Sequence, residues 1–347
     1  MKRFLLIVGV LVVLVLVSGA GGAYWLYRTI KTPYKGYTDA ITYVEIAPGT
    51  STAAMGRLLT DAGVIQNPQL FRLAVWRRGA GRRLQAGEYR FDHEMTPGEV
   101  VDKIVRGDVW LRPVTFREGL TIRQMAAVFE EQGFGTKEEF IAAAKATTAI
   151  RDLDPDAGDL EGYLFPDTYT LPRRTTAEQL VARMIARFEQ ALTAEMRQRA
   201  AARGLTVRQL VTLASLVEKE TAREDEREVV AAVYGNRIKI GMGLQCDPTV
   251  IYALERAGRY TGNLTRADLQ FDSPYNTYRY AGLPPGPIAA PGQASLAAAA
   301  HPADVRYLYF VSRNDGSHEF AETLDDHNRN VQRWQVQYFR EKRLKSR

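Results

Sequence analysis

The longest apolar run of the chain lies near its N-terminus and predicts a membrane-spanning helix. Residues 4–26 contain no charged side chain. A helix of this length spans roughly 35 Å, which is enough to cross the ~30 Å hydrocarbon core of a bilayer. Tyr24 and Trp25 end the run, as residues of an aromatic belt would. The small residues at 18–20 leave a cleaved signal peptide open as the alternative. Both interpretations export the rest of the chain, and an uncleaved anchor leaves residues 1–3 as a cytoplasmic stub.

A pattern of alternating and then helical apolar positions occurs twice after a predicted linker at residues 27–39. The copies begin at Tyr43 and Pro113, and Gly49 and Gly119 occupy the same position in each copy. Each copy predicts a short strand, a glycine turn, a Ser or Thr helix cap and a helix that is closed by glycine. The pattern therefore indicates an internal repeat of a small strand–helix module.

These modules have the size of LysM-like glycan-binding units, so we predict a LysM-like region over residues 40–150. Between the two copies, the pattern predicts another strand over residues 87–91 and a helix that begins after Thr96 and ends at Gly107. The alternative is that the modules act only as spacers. The pattern alone does not decide between glycan binding and spacing.

The pattern over residues 151–347 predicts a further domain, which begins at a turn-rich junction. Helices are predicted at residues 176–203, 206–221, 226–240 and 324–342, and a hairpin at residues 307–312 and 319–321. The expected fold class is α+β. It comprises a single N-terminal transmembrane helix, a LysM-like strand–helix module and a mixed α+β domain that carries the chemistry.

Composition and charge exclude several classes of protein. Hydrophobic residues make up 46% and charged residues 25% of the chain, which is typical of a globular protein. The single Cys246 excludes an intramolecular disulfide and a CxxC site. The net charge of +6 at first suggests a nucleic-acid partner. Residues 1–35 carry +5 and residues 340–347 carry +4, however, which leaves −3 on the remaining body. We therefore expect no nucleic-acid partner. The sequence contains no Walker loop, no HExxH motif and no visible cluster of metal ligands, so we also expect no metal and no cofactor.

Glu218 is the strongest candidate for chemistry. On a helix that begins after Thr206, it falls inside the apolar stripe, whereas Glu220 falls on the edge of the stripe and Thr212 and Ser215 fall on the polar face. A buried carboxyl group costs several kcal/mol unless it is paired or protonated. A carboxylic acid that keeps its proton is what the protonation of a glycosidic oxygen requires. The alternative is a structural glutamate that is satisfied by an arginine or by backbone.

Polar and aromatic side chains in the second half of the chain suggest a lining for a neutral, hydroxyl-rich ligand such as a sugar. Tyrosine faces suit pyranose rings, and amides suit hydroxyl groups. The candidate binding residues are Glu161, Asn236, Gln245, Asp247, Thr249, Tyr252, Tyr275, Asn276 and Tyr278. The alternative is a well-packed loop region in which proline and tyrosine provide rigidity.

Five motifs resemble those of the YceG-like family, the endolytic murein (peptidoglycan) transglycosylases. They are LASLVEKET at 213–221, LQCDPTVIY at 244–252, EGYLFPDTY at 161–169, SPYNTY at 273–278 and GLPPGPI at 282–288. The resemblance extends from the apolar run almost to the C-terminus. One departure is Cys246, where the family pattern has threonine. The resemblance implies a catalytic domain over residues 151–347 with Glu218 as the catalytic residue, in agreement with the helix-face argument.

The resemblance also implies the reaction and its location. The family cleaves the MurNAc–GlcNAc bond within nascent peptidoglycan strands and leaves 1,6-anhydro-MurNAc ends, which makes it a lyase that terminates strand elongation. The implied partners are glycan strands, the membrane and peptidoglycan synthases. The implied location is the bacterial inner membrane, with a single-pass anchor and a periplasmic catalytic domain. Two alternatives stay open, a hydrolytic muramidase and a non-catalytic peptidoglycan-binding scaffold. A hydrolase would need a partner carboxylate, for which Asp247 and Glu161 are the candidates.

Overall fold

A computed structural model describes residues 2–345 of the chain. The chain folds into two compact units. The first unit comprises the residues up to Pro113 together with Thr170–Arg173, and the second unit comprises Val114–Tyr169 together with the residues from Arg174 onward. The limits inferred from the sequence, 40–150 for a LysM-like region and 151–347 for a catalytic domain, stay a prediction.

The first unit contains a two-stranded sheet with helices around it. Its elements are α1 (Lys2–Lys31), β1 (Thr42–Ile46), α2 (Thr52–Asp61), α3 (Pro68–Arg77), β2 (Gly87–Phe91) and α4 (Pro97–Arg106). Strands β1 and β2 are antiparallel and place Val44 opposite Tyr89, both of which are buried. The strand predicted at 87–91 and the helix predicted after Thr96 are confirmed, and a capping box of Thr96 and Glu99 starts that helix.

The predicted anchor at residues 4–26 falls within α1. Several of its side chains, those of residues 4–8 among them, lie outside the part of the chain that the structure describes. Among the residues that are described, no helix is both long enough and apolar enough to cross a membrane.

The strand and the helix predicted for each copy of the repeat are present. The second copy consists of β3 (Arg112–Thr115) and α5 (Ile122–Glu131). Ser51 and Thr121 cap the helices of the two copies, each by accepting a hydrogen bond from a backbone N–H in the first turn. Gly49 and Gly119 turn the chain between strand and helix with φ of +80° and +74°, a conformation that favours glycine. Helix α2 belongs to the first unit and α5 to the second.

The second unit is mostly helical. It contains α6 (Lys137–Ala143), α7 (Ala177–Ala191), α8 (Ala194–Ala202), α9 (Val207–Glu220), α10 (Arg227–Lys239), α11 (Asp247–Arg256), α12 (Gln293–Ala300), α13 (Leu324–Val331) and α14 (Tyr338–Lys345), with a π-helical stretch Gln332–Gln337 between the last two. Short 3₁₀ turns occur at Thr147–Ile150, Glu224–Glu226 and Asp268–Gln270. Strand β4 (Thr168–Leu171) pairs with β3, and β5 (Tyr309–Ser312) pairs antiparallel with β6 (His318–Ala321). The α+β class is confirmed as a largely helical fold with small two-stranded sheets.

Two helix predictions were wrong in detail. The helix predicted over 176–203 is two helices, because Thr193 caps a new one by accepting a hydrogen bond from Met196 N. Thr212 and Ser215 were expected on the polar face of α9, but both are buried. The reason is that α8, α10, α11 and α12 all pack against α9, so this helix is covered on every side from Leu210 to Val217. The helix pattern along the chain did not predict α3, α11 or α12.

Candidate active site

Glu218 lies in the last turn of α9, and its side chain is only 8% exposed. Its Oε2 accepts a hydrogen bond of 3.0 Å from Gly292 N, and its Oε1 lies 4.0 Å from Nη2 of Arg227. The burial expected from the apolar stripe is therefore present. Both kinds of partner foreseen for a structural glutamate also occur here. The arginine, however, stands beyond hydrogen-bond distance.

The segment before α12 is fixed to α9 and to the start of the second repeat copy. Ser215 Oγ accepts a hydrogen bond of 3.1 Å from Ile288 N. Ala290 pairs with both sides of the Gly119 turn, accepting from Gly119 N at 2.8 Å and donating to Leu120 O at 2.9 Å. These bonds set the position from which Gly292 N reaches Glu218. The hydrogen bond to the carboxyl group is thus held in place by backbone pairing with two different elements.

Glu118 is a second carboxyl group at this site, and the sequence analysis missed it. Its Oε2 lies 4.0 Å from the same Nη2 of Arg227 that faces Glu218. A Cβ on Gly292 would lie 1.8 Å from Glu118 Oε1, so the glycine leaves the space that this carboxyl group occupies. Burial raises the pKa of Glu118, the charge of Glu218 raises it further, and Arg227 lowers it. One signal was present, because Glu118 stands where the first repeat copy has Pro48.

Arg227, the first residue of α10, was also missed. Its side chain is buried, and it lies 3.9 Å from the exposed carboxyl group of Glu224 in addition to the two carboxyl groups described above. Its Nε is buried and has no hydrogen-bond partner among the residues that the structure describes. The guanidinium keeps its positive charge in proteins. Electrostatic attraction to the nearby carboxyl groups therefore holds this buried arginine in place.

Glu220 has different partners from Glu218. Its Oε2 accepts hydrogen bonds from Tyr234 Oη at 3.0 Å and from Cys246 Sγ at 3.5 Å. Burial raises the pKa of the Glu220 carboxyl group and raises that of the Cys246 thiol well above its usual range. The thiol thus serves as a hydrogen-bond donor at the position where the family pattern has threonine. Glu220 connects α9 to α10 and to the start of α11.

Three of the predicted binding residues use their polar atoms within the protein. Asn236 Nδ2 donates to Val305 O and Tyr307 O, Thr249 Oγ1 shares a hydrogen bond with Thr277 Oγ1, and Asn276 Nδ2 donates to Leu269 O and Phe271 O. These contacts hold the segments that surround α11. The role of the three side chains in substrate binding stays a prediction.

Three other predicted binding residues lie at or near the surface beside the end of α9. Gln245 is exposed and has a φ of +51°, a conformation that is uncommon outside glycine. Tyr278 Oη donates a hydrogen bond of 2.6 Å to Asp247 Oδ1. Burial and this hydrogen bond raise the pKa of Tyr278, so it remains a neutral donor. The charge of Asp247 also acts on Glu220, which places this group near the C-terminal end of α9.

The remaining three line two cavities that share Glu161: Tyr252 lines the first and Tyr275 lines the second. Glu161 is buried and accepts hydrogen bonds from Ile122 N at 3.0 Å and Tyr252 Oη at 3.2 Å. Burial raises the pKa of Glu161 to about 8. The rings of Tyr252 and Tyr275 lie 5.0 Å apart, and the Arg256 guanidinium lies over both. Two cavities of about 200 and 220 Å³ share Glu161 and Arg256 in their walls.

The structure therefore distributes the predicted residues over separate places in the second unit. Glu218 faces Glu118 and Arg227, whereas Glu161 and Asp247, the two candidates for a partner carboxylate, bond to Tyr252 and Tyr278. The chain between Gly119 and Ile122 links the Glu218 site to the cavity. Within residues 2–345, no group of three or more His, Cys, Asp or Glu side chains converges as a metal site would require.

Comparisons with known proteins identify the family to which the chain is similar. A family model described as the YceG-like family matches residues 44–333. The chain is 33% identical over 328 residues to the endolytic murein transglycosylase of Bacillus subtilis (strain 168), which covers 89% of each chain. It is 31% identical over 360 residues to the endolytic murein transglycosylase of Streptococcus pneumoniae serotype 2 (strain D39 / NCTC 7466), which covers 94% of this chain and 64% of that relative.

The fold is also similar to that of a solved structure. The crystal structure of a YceG-like protein from Listeria monocytogenes is similar with a TM-score of 0.57 and 31% sequence identity, over 84% of this chain and 98% of that chain. The family resemblance inferred from the motifs is confirmed. The chain belongs to the YceG-like family.

Proposed function

We propose that this chain is an endolytic murein transglycosylase, which cleaves the MurNAc–GlcNAc bond within peptidoglycan strands. The observation that carries the proposal is the Glu218 carboxyl group, which is 8% exposed and is oriented by Gly292 N–H beside Arg227. Two relatives named endolytic murein transglycosylase align over most of the chain. The enzyme acts in cell-wall biogenesis by ending the elongation of nascent strands.

The mechanism needs one carboxyl group that both gives and takes a proton. Protonated Glu218 donates its proton to the glycosidic oxygen, and the bond from that oxygen to C1 of MurNAc breaks. The C6 hydroxyl of the same MurNAc attacks C1, and the Glu218 carboxylate takes the hydroxyl proton. The products are a free GlcNAc hydroxyl and a 1,6-anhydro-MurNAc end, and the carboxyl group is protonated again. No water is consumed.

The cavity at Glu161 and the surface at Asp247 serve as glycan subsites in this proposal. Tyr252 and Tyr275 line the cavities at Glu161, and the exposed Gln245 and Asp247 provide hydrogen-bonding groups that suit pyranose hydroxyls. Burial keeps Glu161 neutral at pH 7, because its pKa is raised to about 8. A neutral acid can donate a hydrogen bond to a sugar hydroxyl without placing a charge in the cavity.

The test is Glu218→Gln in the purified full chain with purified sacculi as substrate. The amide keeps the size of the side chain and can accept the Gly292 hydrogen bond, but it cannot deliver a proton. We expect cleavage to fall by about 10²- to 10⁴-fold, which is the contribution of general acid–base catalysis, while the unfolding temperature stays close to that of the wild type. Release of muropeptides by the variant at the wild-type rate would exclude Glu218 as the catalytic residue.

A second candidate, a hydrolytic muramidase, has one observation in its favour. Glycoside hydrolases use a pair of carboxyl groups, and Glu118 lies beside Glu218 on the same guanidinium. Mass spectrometry of the products separates the two reactions, because an anhydro end is one water lighter than a reducing end. We expect anhydro ends. Reducing ends alone would establish the muramidase.

The location follows from the N-terminal sequence. Residues 4–26 are uncharged and act as a single-pass anchor in the inner membrane, with the catalytic residues in the periplasm beside the peptidoglycan synthases. The first unit, whose repeat copy resembles LysM-like modules, contacts glycan. Protease added to spheroplasts should digest the body of the chain. Complete protection of the body would contradict this topology.

A further inference from the structure

Two carboxyl groups and one buried guanidinium form a cluster that the single-carboxylate mechanism does not use in full. Nη2 of Arg227 lies 4.0 Å from an oxygen of Glu118 and 4.0 Å from an oxygen of Glu218. We propose that Glu118 and Glu218 form a coupled pair across Arg227 that holds one proton, so that Glu118 is a positioning residue for the proton that Glu218 delivers. This inference rests on the proposed function.

Charge balance is the physical reason why the two carboxyl groups would hold one proton. One guanidinium offsets one carboxylate, and a second carboxylate would leave an excess negative charge at a site where Glu218 and Arg227 are both 8% exposed. The pair therefore keeps one proton to a higher pH than an isolated glutamate does, in the way that two neighbouring carboxyl groups share a proton. The pKa of Glu118 is raised by burial and by the charge of Glu218, which fits this coupling.

The other charged groups near Glu118 do not cancel its interaction with Glu218. Glu118 faces Glu218 on α9, Arg227 on α10 and Glu224 in the preceding 3₁₀ turn. Glu224 is 89% exposed, so water and ions screen it. The Nζ of Lys219 donates to Gly119 O at 3.2 Å, beside Glu118, so its hydrogen bond goes to the backbone. Among the described residues, Arg227 is the cation that lies 4.0 Å from both carboxyl groups.

The Glu118 side chain is 47% exposed, and it lies against Gly292. The carboxyl group of Glu118 occupies the space where any side chain at position 292 would begin. The next residue, Gly119, donates its N–H to Ala290 O. The segment that orients Glu218 through Gly292 N therefore also positions Glu118. A change in either contact alters the distance between the two acids.

The test is the pH dependence of sacculus cleavage by Glu118→Gln in the purified full chain. The amide removes the second negative charge, which is the charge that favours retention of one proton by the pair. We expect the alkaline limb of the profile to move down by about one pH unit, with cleavage at the optimum within about tenfold of the wild type. Glu118→Asp, which keeps the charge, should move the limb back toward the wild-type position.

Glu224→Gln is the matched control, because it is the same substitution at a similar distance from Arg227, on a side chain that is 89% exposed against 47% for Glu118. Its profile should coincide with that of the wild type. An unshifted limb in Glu118→Gln, or the same shift in Glu224→Gln, would overturn the coupled pair. If Glu218→Gln is inactive in parallel, only this inference fails. If Glu218→Gln cleaves normally, the proposed function fails as well.

Discussion

At the scale of single residues, glycine decides how closely the groups of the candidate site approach each other. Gly292 has φ −78° and ψ 175°, a backbone conformation that any residue adopts. What matters at this position is therefore the absence of a side chain. Its N–H faces Glu218 and its Cα faces Glu118. The absence of a side chain at this one position allows two carboxyl groups to converge on one arginine.

Gly292→Ala should therefore reduce cleavage without unfolding the protein. The new Cβ would collide with the end of the flexible Glu118 side chain, which can move away into solvent because it is 47% exposed. We expect up to about a tenfold loss of cleavage at the optimum, the same limit as for Glu118→Gln, because the collision displaces this positioning residue. Gly81→Ala, with open space and an ordinary backbone, is the control. Wild-type activity in Gly292→Ala would show that the position of Glu118 is unimportant.

At the scale of secondary-structure elements, α9 is the central support of the site. A capping box formed by Thr206 and Gln209 starts the helix, and neighbouring helices cover it on every side. Ser215 lies one turn before Glu218 and has two bonds, because its Oγ donates to Thr212 O at 2.7 Å and accepts from Ile288 N. The helix therefore positions both the acid and the segment that orients it.

Ser215→Ala should lower stability and activity together. The substitution leaves the buried N–H of Ile288 without a partner, and an unsatisfied buried donor costs about 1–3 kcal/mol. Denaturant unfolding followed by circular dichroism should show this loss of free energy, and cleavage should fall because Gly292 is less well held. Thr212→Val keeps the shape and removes a bond within the helix only. An effect in Thr212→Val as large as in Ser215→Ala would argue against a special role for the Ile288 contact.

At the scale of the whole molecule, the chain forms two compact units, and the candidate chemistry lies in the second. The first unit has its own core, in which Phe71, Tyr89 and Phe91 are buried. Glu118, Glu218 and the cavity at Glu161 all belong to the second unit. The second unit also contains buried acids, and burial of acids makes its folding depend on pH.

The stability of the protein should fall as the pH rises from about 4.5 to 8. Burial raises the pKa of Glu161 from 4.5 to about 8, so the folded state retains a proton that the unfolded chain releases over this range. The contribution is complete below pH 4.5 and is lost as the pH reaches 8. The difference in unfolding free energy between wild type and Glu161→Gln should shrink across this window and then level off.

The matched control for this pH dependence is Glu195→Gln, which changes an exposed carboxylate paired with Arg199. Its unfolding free energy should run parallel to that of the wild type at every pH. A constant difference between wild type and Glu161→Gln from pH 4.5 to 8 would show that Glu161 does not carry the proton.

The sequence by itself determined the local features. Spacing and capping residues predicted the repeat, the strand at 87–91 and the course of α9, because turns, caps and periodicity depend on neighbours in the chain. The apolar stripe of α9 placed Glu218 among buried residues, and the motifs indicated the family. Only the tertiary structure decided that α9 is covered on all sides and that Glu118 and Arg227 meet at Glu218. These contacts join segments far apart in the chain, and no local spacing records which distant segments pack together.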